Sequence, residues 1–235
     1  FEEPNNTFLQ KVRKIANDND SLLILDEIVT GFRFDLAGGQ KYFGIKGDLV
    51  CFGKGMSNGL PLSAITGPTE FMKTFDDLWV SSTNNSEALS LAGTKSVITE
   101  MKEKNTIQHC WKIGNSLFDG WNKIAEKNNI NAKMTGYPIR MDLRCFDTSG
   151  IESLPMKSFI LQEMVKQDVF MSILGSSYIC YSHSVQDVEK TLQSFENVCS
   201  TINKKIEHDN YETSLEGPLP KTIWAMKLPS TKKHN

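Results

Sequence analysis

A chain of 235 residues, 39% of them hydrophobic and 23% charged, has the composition of an ordinary globular protein with room for one large domain or two modest ones. A formal net charge of −2 points to neither nucleic acid nor an anionic membrane as a partner. No apolar run approaches the length of a membrane span, and no signal peptide is visible.

The opening "FEEPNN" reads as the middle of a loop, so the chain is expected to be the C-terminal part of a longer one. "TFLQKVRKIAND" sets Phe8, Leu9, Val12, Ile15 and Ala16 on one helical face, and Thr7 with Gln10 fits a capping box. Leu22–Leu25 is a continuous apolar run of the kind buried on both faces of a parallel sheet. Leu49–Phe52 and Leu62–Ile65 are two further short strands between glycine-rich loops, and Pro68 opens a short helix. This order predicts α/β organisation.

One helix is predicted from about Ser86, with Glu87 in its first turn. A second runs from Thr106, with Ile107, Trp111, Trp121 and Ile124 along one side as core. Beyond residue 130 the texture changes. "YPIRMDLRCF" alternates like a strand with one buried face, Met156–Val165 reads as a helix, and "DVFMSIL" and "YICYSH" read as short strands. Val185–Ile202 is an amphipathic helix, and the polar tail "PSTKKHN" is expected to be mobile. Residues 1–105 and 106–235 therefore read as two domains, the second a small α+β domain. The five cysteines, Cys51, Cys110, Cys145, Cys180 and Cys199, are scattered without zinc-ligand spacing. They read as reduced thiols of a cytoplasmic protein, with no metal site expected.

Two residues stand out chemically. Asp26 ends the first apolar strand, at the sheet edge where open α/β folds place ligands. Alone, it reads equally well as a helix cap or an ion pair with Arg33. Lys54 lies just past the second strand, so parallel pairing would bring both to one edge. In a low-dielectric place its neutral amine, the Schiff-base nucleophile, is favoured. Gly53, Gly55 and Gly59 leave room for a flat ligand. "GKGMSNG" taken alone misses the dinucleotide and P-loop spacings, which argues against a nucleotide-binding domain. A ligand with a cationic ring nitrogen for Asp26 and an aldehyde for Lys54 would satisfy both residues, and pyridoxal phosphate has both features.

"LLILDEIVTGFR", "GGQKYFGIKGDLVCFGKGMSNGLPLSAITG" and "SSTNNSEALSLAG" resemble, in order and spacing, the class III aminotransferases among fold-type I pyridoxal-phosphate enzymes, with the glutamate-1-semialdehyde aminomutase branch nearest. The resemblance runs on to "YSHSVQDVEKTLQSF" and "LEGPLPK". It implies the three-layer large domain of that fold, lacking its N-terminal part, followed by a small α+β domain. It implies that Asp26 pairs with the pyridine nitrogen, that Ile28 packs on the ring, and that Lys54 forms the Schiff base and then carries protons. It also implies that Thr83 donates to the phosphate of a neighbouring subunit, hence a homodimer with shared sites acting on small-molecule amino donors and acceptors. Ile28 as core, and Ser82 and Thr83 as turn residues, are the plainer readings of the same positions. Glu27 with Arg33 reads as a structural ion pair, and His183 as an anchor of the small domain.

Val29 stands where many transaminases of the family carry glutamine, which leans toward the aminomutases. "MSNG" replaces the aminomutases' glycine run, which leans away from them. The family's phosphate-gripping loop and its ring-stacking aromatic are not found in this sequence. A truncated, non-catalytic relative therefore stays open beside the enzyme.

Overall fold

The computed structural model describes residues 4–5, 7–80, 83–206 and 211–221, without the side chains of 205 and 206; Ser82 and the "PSTKKHN" tail lie outside them. The chain forms two compact units, Phe1–Gly114 with Ile179–His183, and Asn115–Tyr178 with Ser184–Asn235.

In the first unit, α1 (Phe8–Asp18) has the expected amphipathic pattern, yet none of its residues is buried. The capping box does not form. Thr7 sits at φ −124°, ψ −3°, away from the extended geometry of a cap, and its side chain caps nothing. Gln10 instead donates to the carbonyl of Phe43 at 3.1 Å.

The sheet has the order β1-β2-β3. β1 (Ile24–Asp26) lies parallel to β2 (Leu49–Phe52), with Ile24 opposite Leu49 and Asp26 opposite Cys51. β3 (Ala64–Thr66) runs antiparallel on the other side of β2. The apolar run Leu22–Leu25 was expected to be buried on both faces, but Ile24 is 58% exposed. β1 is an edge strand among the described residues, so only part of its apolar surface is covered.

Asp48 ties these elements together. Its Oδ2 accepts from the Leu23 amide at 2.7 Å and from Arg13 of α1 at 2.6 Å. The Leu23 amide first, then Arg13, holds the Asp48 carboxyl below its ordinary 3.8. A depressed carboxyl contributes stability that is complete above its unfolded value and is lost as pH falls through the folded one. Protection of the Leu23 amide against hydrogen exchange is therefore expected to fall only below pH 3.8, and Asp48→Asn should remove that acid-range step. Unchanged protection across the acid range would show that the bond carries no weight.

Two short helices, α2 (Gly39–Tyr42) and α3 (Thr69–Met72), follow β1 and β3, and Pro68 is the N-cap residue of α3. α4 spans Ala88–Glu103. Its start is shifted from the expected one, because Ser86 takes a left-handed φ of 60° and Glu87 acts as the cap. The Glu87 carboxylate accepts from the amides of Leu89 and Ser90 at 2.8 and 2.7 Å. It is held below its usual range, chiefly by the Ser90 hydroxyl and then by those amides.

α5 (Thr106–Lys127) begins in the first unit and continues into the second. Its two tryptophans thus belong to different cores. Trp111 stacks on Tyr42 with centroids 5.3 Å apart and donates to the Phe34 carbonyl at 3.0 Å.

In the second unit, Trp121 stacks on Phe195 of α7 (Val185–Ile206), and its N–H donates to the Ala132 carbonyl at 3.0 Å. The alternating segment is half of a hairpin. β4 (Ala132–Tyr137) turns at Pro138-Ile139 into β5 (Arg140–Cys145), whose Met141, Leu143 and Cys145 are buried. β6 (Ser177–Tyr178) pairs with β5, and α6 (Leu154–Val165) is capped by Ser153. "DVFMSIL" is not a strand. It finds no sheet partner, and Phe170 is 89% exposed. Among the described residues no helix is long and apolar enough to cross a membrane.

Candidate functional site

The parallel register brings the ends of β1 and β2 to the same sheet edge. Asp26 is the last residue of β1. Lys54 follows β2 by two positions and opens a 3₁₀ turn, Lys54–Met56. Both side chains are exposed. Asp26 Oδ1 accepts from the Ile28 amide at 3.0 Å, an Asx-type turn that fixes the carboxylate at the strand end. Ile28 flanks the backbone leading to the lysine. A Cβ added at Gly53 would lie 3.5 Å from its Cγ2, so glycine leaves a shallow step beside an apolar side chain. Asp26, Ile28 and Lys54 are thus gathered at one edge. Thr83 stands exposed in the turn before α4.

Lys54 was expected in a low-dielectric place. It projects from the turn uncovered by the described residues, so they do not supply the desolvation. Its turn is nevertheless well supported. Met56 and Ser57 are buried, Ser57 donates to the Leu60 carbonyl at 2.6 Å, and α4 packs against the turn.

The acid loop is built around Glu27, only 3% exposed. Its carboxylate accepts from the amides of Gly39 and Gln40 at 2.8 and 2.6 Å and from the Thr30 hydroxyl. Gly38, at φ 85°, lies against it. A Cβ there would sit 2.7 Å from the carboxylate, so both conformation and space require glycine. Glu27 is therefore the internal clamp of the loop after β1. Arg33, expected as its ion-pair partner, donates to the Ile179 carbonyl at 3.2 Å. His183 belongs to the first compact unit, in the segment Ile179–His183.

One feature of the site was missed in the sequence. Phe32 and Lys54 both hold positive φ, 56° and 42°, a conformation that costs a bulky side chain roughly 1–3 kcal/mol. Phe32 sets its ring edge-on to Phe52, at the end of β2, with centroids 5.5 Å apart. Strain in both loops thus meets at the strand end that carries the lysine. Of the grooves elsewhere, one of about 520 Å³ lies between α6 and segments 170–174 and 215–220. No titratable side chain lines it, so it offers no acid–base chemistry.

Comparison with known proteins bears on the family and the fold. The class-III aminotransferase family model matches residues 1–144. Glutamate-1-semialdehyde 2,1-aminomutase 2 of Staphylococcus haemolyticus is 30% identical over 211 residues, covering 85% of this chain and 49% of that protein. The 3-aminobutyryl-CoA aminotransferase of Cloacimonas acidaminovorans is 31% identical over 209 residues, covering 86% and 49%. The chain spans about half the length of the curated relatives it matches. Among solved structures, the PLP internal aldimine form of the Sphingopyxis sp. MTA144 FumI protein superposes with a TM-score of 0.80 at 22% identity, covering 92% of this chain and 50% of that one. An omega-transaminase from Sphaerobacter thermophilus gives a TM-score of 0.74 at 18% identity, covering 86% and 49%. The fold is that of the fold-type I pyridoxal-phosphate transaminases. The chain belongs to the class-III aminotransferases.

Proposed function

We propose that this chain supplies the cofactor-attaching lysine and the ring acid of a cytoplasmic pyridoxal-phosphate enzyme that moves an amino group between small molecules in ping-pong half-reactions. The observation that carries this reading is the parallel β1–β2 register, which sets Asp26, Ile28 and Lys54 on one sheet edge. Residues 1–105 then contribute to the cofactor-binding large domain, and 106–235 form the small domain.

The residues at the edge fit the cofactor. A carboxylate suits a cationic ring nitrogen, an amine suits an aldehyde, and an apolar side chain beside glycine suits a flat ring. When bound, pyridoxal phosphate supplies an electron sink for the charge left as a substrate carbon loses its proton. Asp26, oriented by the Ile28 amide, holds the proton on the ring nitrogen. Ile28 orients the ring from one face. Lys54 Nζ would hold the cofactor's aldehyde carbon and would take the proton from the substrate carbon and return it as general acid. Its uncovered position leaves the exclusion of water to parts of the enzyme beyond the described residues. Thr83, exposed before α4, donates to the phosphate held by a second copy, which makes the enzyme a homodimer with shared sites.

Val29 and the aminomutase relatives favour a second reading, in which the amino group moves within one molecule as in a glutamate-1-semialdehyde 2,1-aminomutase. Both readings require the same lysine.

Borohydride reduction of the full-length gene product with pyridoxal phosphate, followed by peptide mass mapping, tests them together. The expected result is a pyridoxyl adduct on Lys54. An adduct elsewhere, or none, would leave the chain a non-catalytic relative.

A further inference from the structure

The buried face of α4 is built from small residues. Ser90 and Thr94 are its buried positions, and Gly93 and Val97 beside them are half-buried. Positions 90, 93, 94 and 97 form one helical stripe. The larger Leu89 and Leu91 point elsewhere and are 67% and 49% exposed. A face with so little side-chain bulk lets the helix backbone come close to its neighbour, which here is the turn Lys54–Met56 and the loop that follows it.

Leu60 is the loop side chain seated on Gly93. A Cβ added at Gly93 would lie 2.1 Å from Leu60 Cδ1 and 3.6 Å from Leu60 Cγ, so the bare backbone holds the place of the Cδ1 methyl. Ser57 links Leu60 to the lysine. Its Oγ donates to the Leu60 carbonyl at 2.6 Å, and the Leu60 amide donates to the Ser57 carbonyl at 3.3 Å. The amides of Ser57 and Asn58 in turn donate to the Lys54 carbonyl at 3.2 and 3.0 Å. Ser57 is buried, so water has little access to these bonds. Lys54 itself holds a left-handed φ of 42°, a conformation that persists only where the surrounding packing fixes it.

We propose that Gly93 is a positioning residue for Lys54, acting through the Leu60 side chain seated on it. The inference rests on the reading of Lys54 as the cofactor lysine. With alanine at 93, the Cδ1 methyl has no place, while Leu60 Cγ stays in ordinary contact. Leu60 must therefore swing out of its seat. Ser57 follows through its two bonds to Leu60, and the Lys54 carbonyl loses the frame that sets where Nζ projects. Alanine is a better helix former than glycine, so α4 itself does not loosen. The defect is confined to the loop that carries the lysine.

The test compares the full-length wild type with Gly93→Ala, Leu60→Ala and the double variant, after borohydride mapping of the wild type. Gly93→Ala should lower kcat about tenfold per folded molecule and change KM for the amino donor less than about twofold, because a displaced proton carrier slows the reaction without weakening donor binding. In the cofactor-free protein, hydrogen exchange at the Ser57, Asn58 and Leu60 amides should quicken while the melting temperature stays within about 2 °C of wild type. Leu60→Ala should lower kcat by a similar factor, and the double variant should lose no more than the worse single one, because both act through one contact. Leu60→Ala gives the same readings if Gly93→Ala fails to fold. A wild-type kcat in Gly93→Ala, losses that multiply in the double variant, or turnover that merely follows the folded fraction in both single variants overturns the inference while a Lys54 adduct still stands. A wild type without that adduct overturns the reading of the lysine, and this inference with it.

Discussion

Replacing Lys54 by alanine in the full-length protein is expected to lower amino-group turnover by at least about 10³-fold, because the proposed function makes one side chain both attachment point and proton carrier. The two lysines nearest in sequence among the described residues stand elsewhere. Lys41 lies in α2, within 3.9 Å of Asp35, and Lys46 falls before β2, at the opposite end of the strand. Lys54→Arg separates charge from nucleophilicity. It keeps a cation at the same sheet edge but stays protonated at neutral pH, so it should be as inactive as the alanine variant. The left-handed φ of 42° at Lys54 is tolerable for either replacement at a cost the native lysine already bears. The loss should therefore appear in turnover, not in folding. The measurement is transfer from a panel of amino donors, alongside the cofactor absorbance and the melting curve of each variant. A Lys54→Ala enzyme that keeps more than roughly a tenth of wild-type turnover would remove Lys54 from the chemistry.

The core of this site was legible because it is written locally. An apolar run that stops at Asp26, and another that stops just before Lys54, are patterns confined to a few residues, and parallel pairing of adjacent strands follows from α/β organisation. The backbone of the site was not legible. Positive φ is signalled in sequence by glycine, asparagine and aspartate, and Asn58, Asn105 and Asp168 obey that preference. Phe32 and Lys54 do not, and only the packed structure holds them there. Glu27 was misread for a related reason. A carboxylate next to Arg33 suggests an ion pair, whereas its partners are backbone amides at Gly39 and Gln40, brought near by the loop. The burial expected of the first strand failed on the same ground. An apolar run reports what could be covered, and β1 has a single strand neighbour among the described residues. "DVFMSIL" shows the converse error. Its apolar residues line the groove beside α6 and do not extend the sheet.

Glu27→Ala is expected to destabilise the chain by about 3–5 kcal/mol, lowering the melting temperature by about 10 °C. The substitution strips the acceptor from the Gly39 and Gln40 amides and from the Thr30 hydroxyl, in a site only 3% exposed. Each buried donor left without a partner costs about 1–3 kcal/mol, and water entering the space vacated by the carboxylate recovers part of it. Glu27→Gln keeps one acceptor oxygen and should lose about half as much, so the order wild type, glutamine, alanine is the diagnostic result. Gly38 sharpens the test. A methyl group there would press on the same carboxylate from 2.7 Å at a φ of 85°, so Gly38→Ala should also destabilise, and the two losses should be less than additive in the double variant. Activity of the glutamine variant should follow its folded fraction, because the clamp holds the acid loop without touching the reacting atoms. Denaturant unfolding of the three proteins decides it. A Glu27→Ala chain within about 1 kcal/mol of wild type would mean that the loop amides find water, and the position of Asp26 would then depend on its own turn with Ile28 alone.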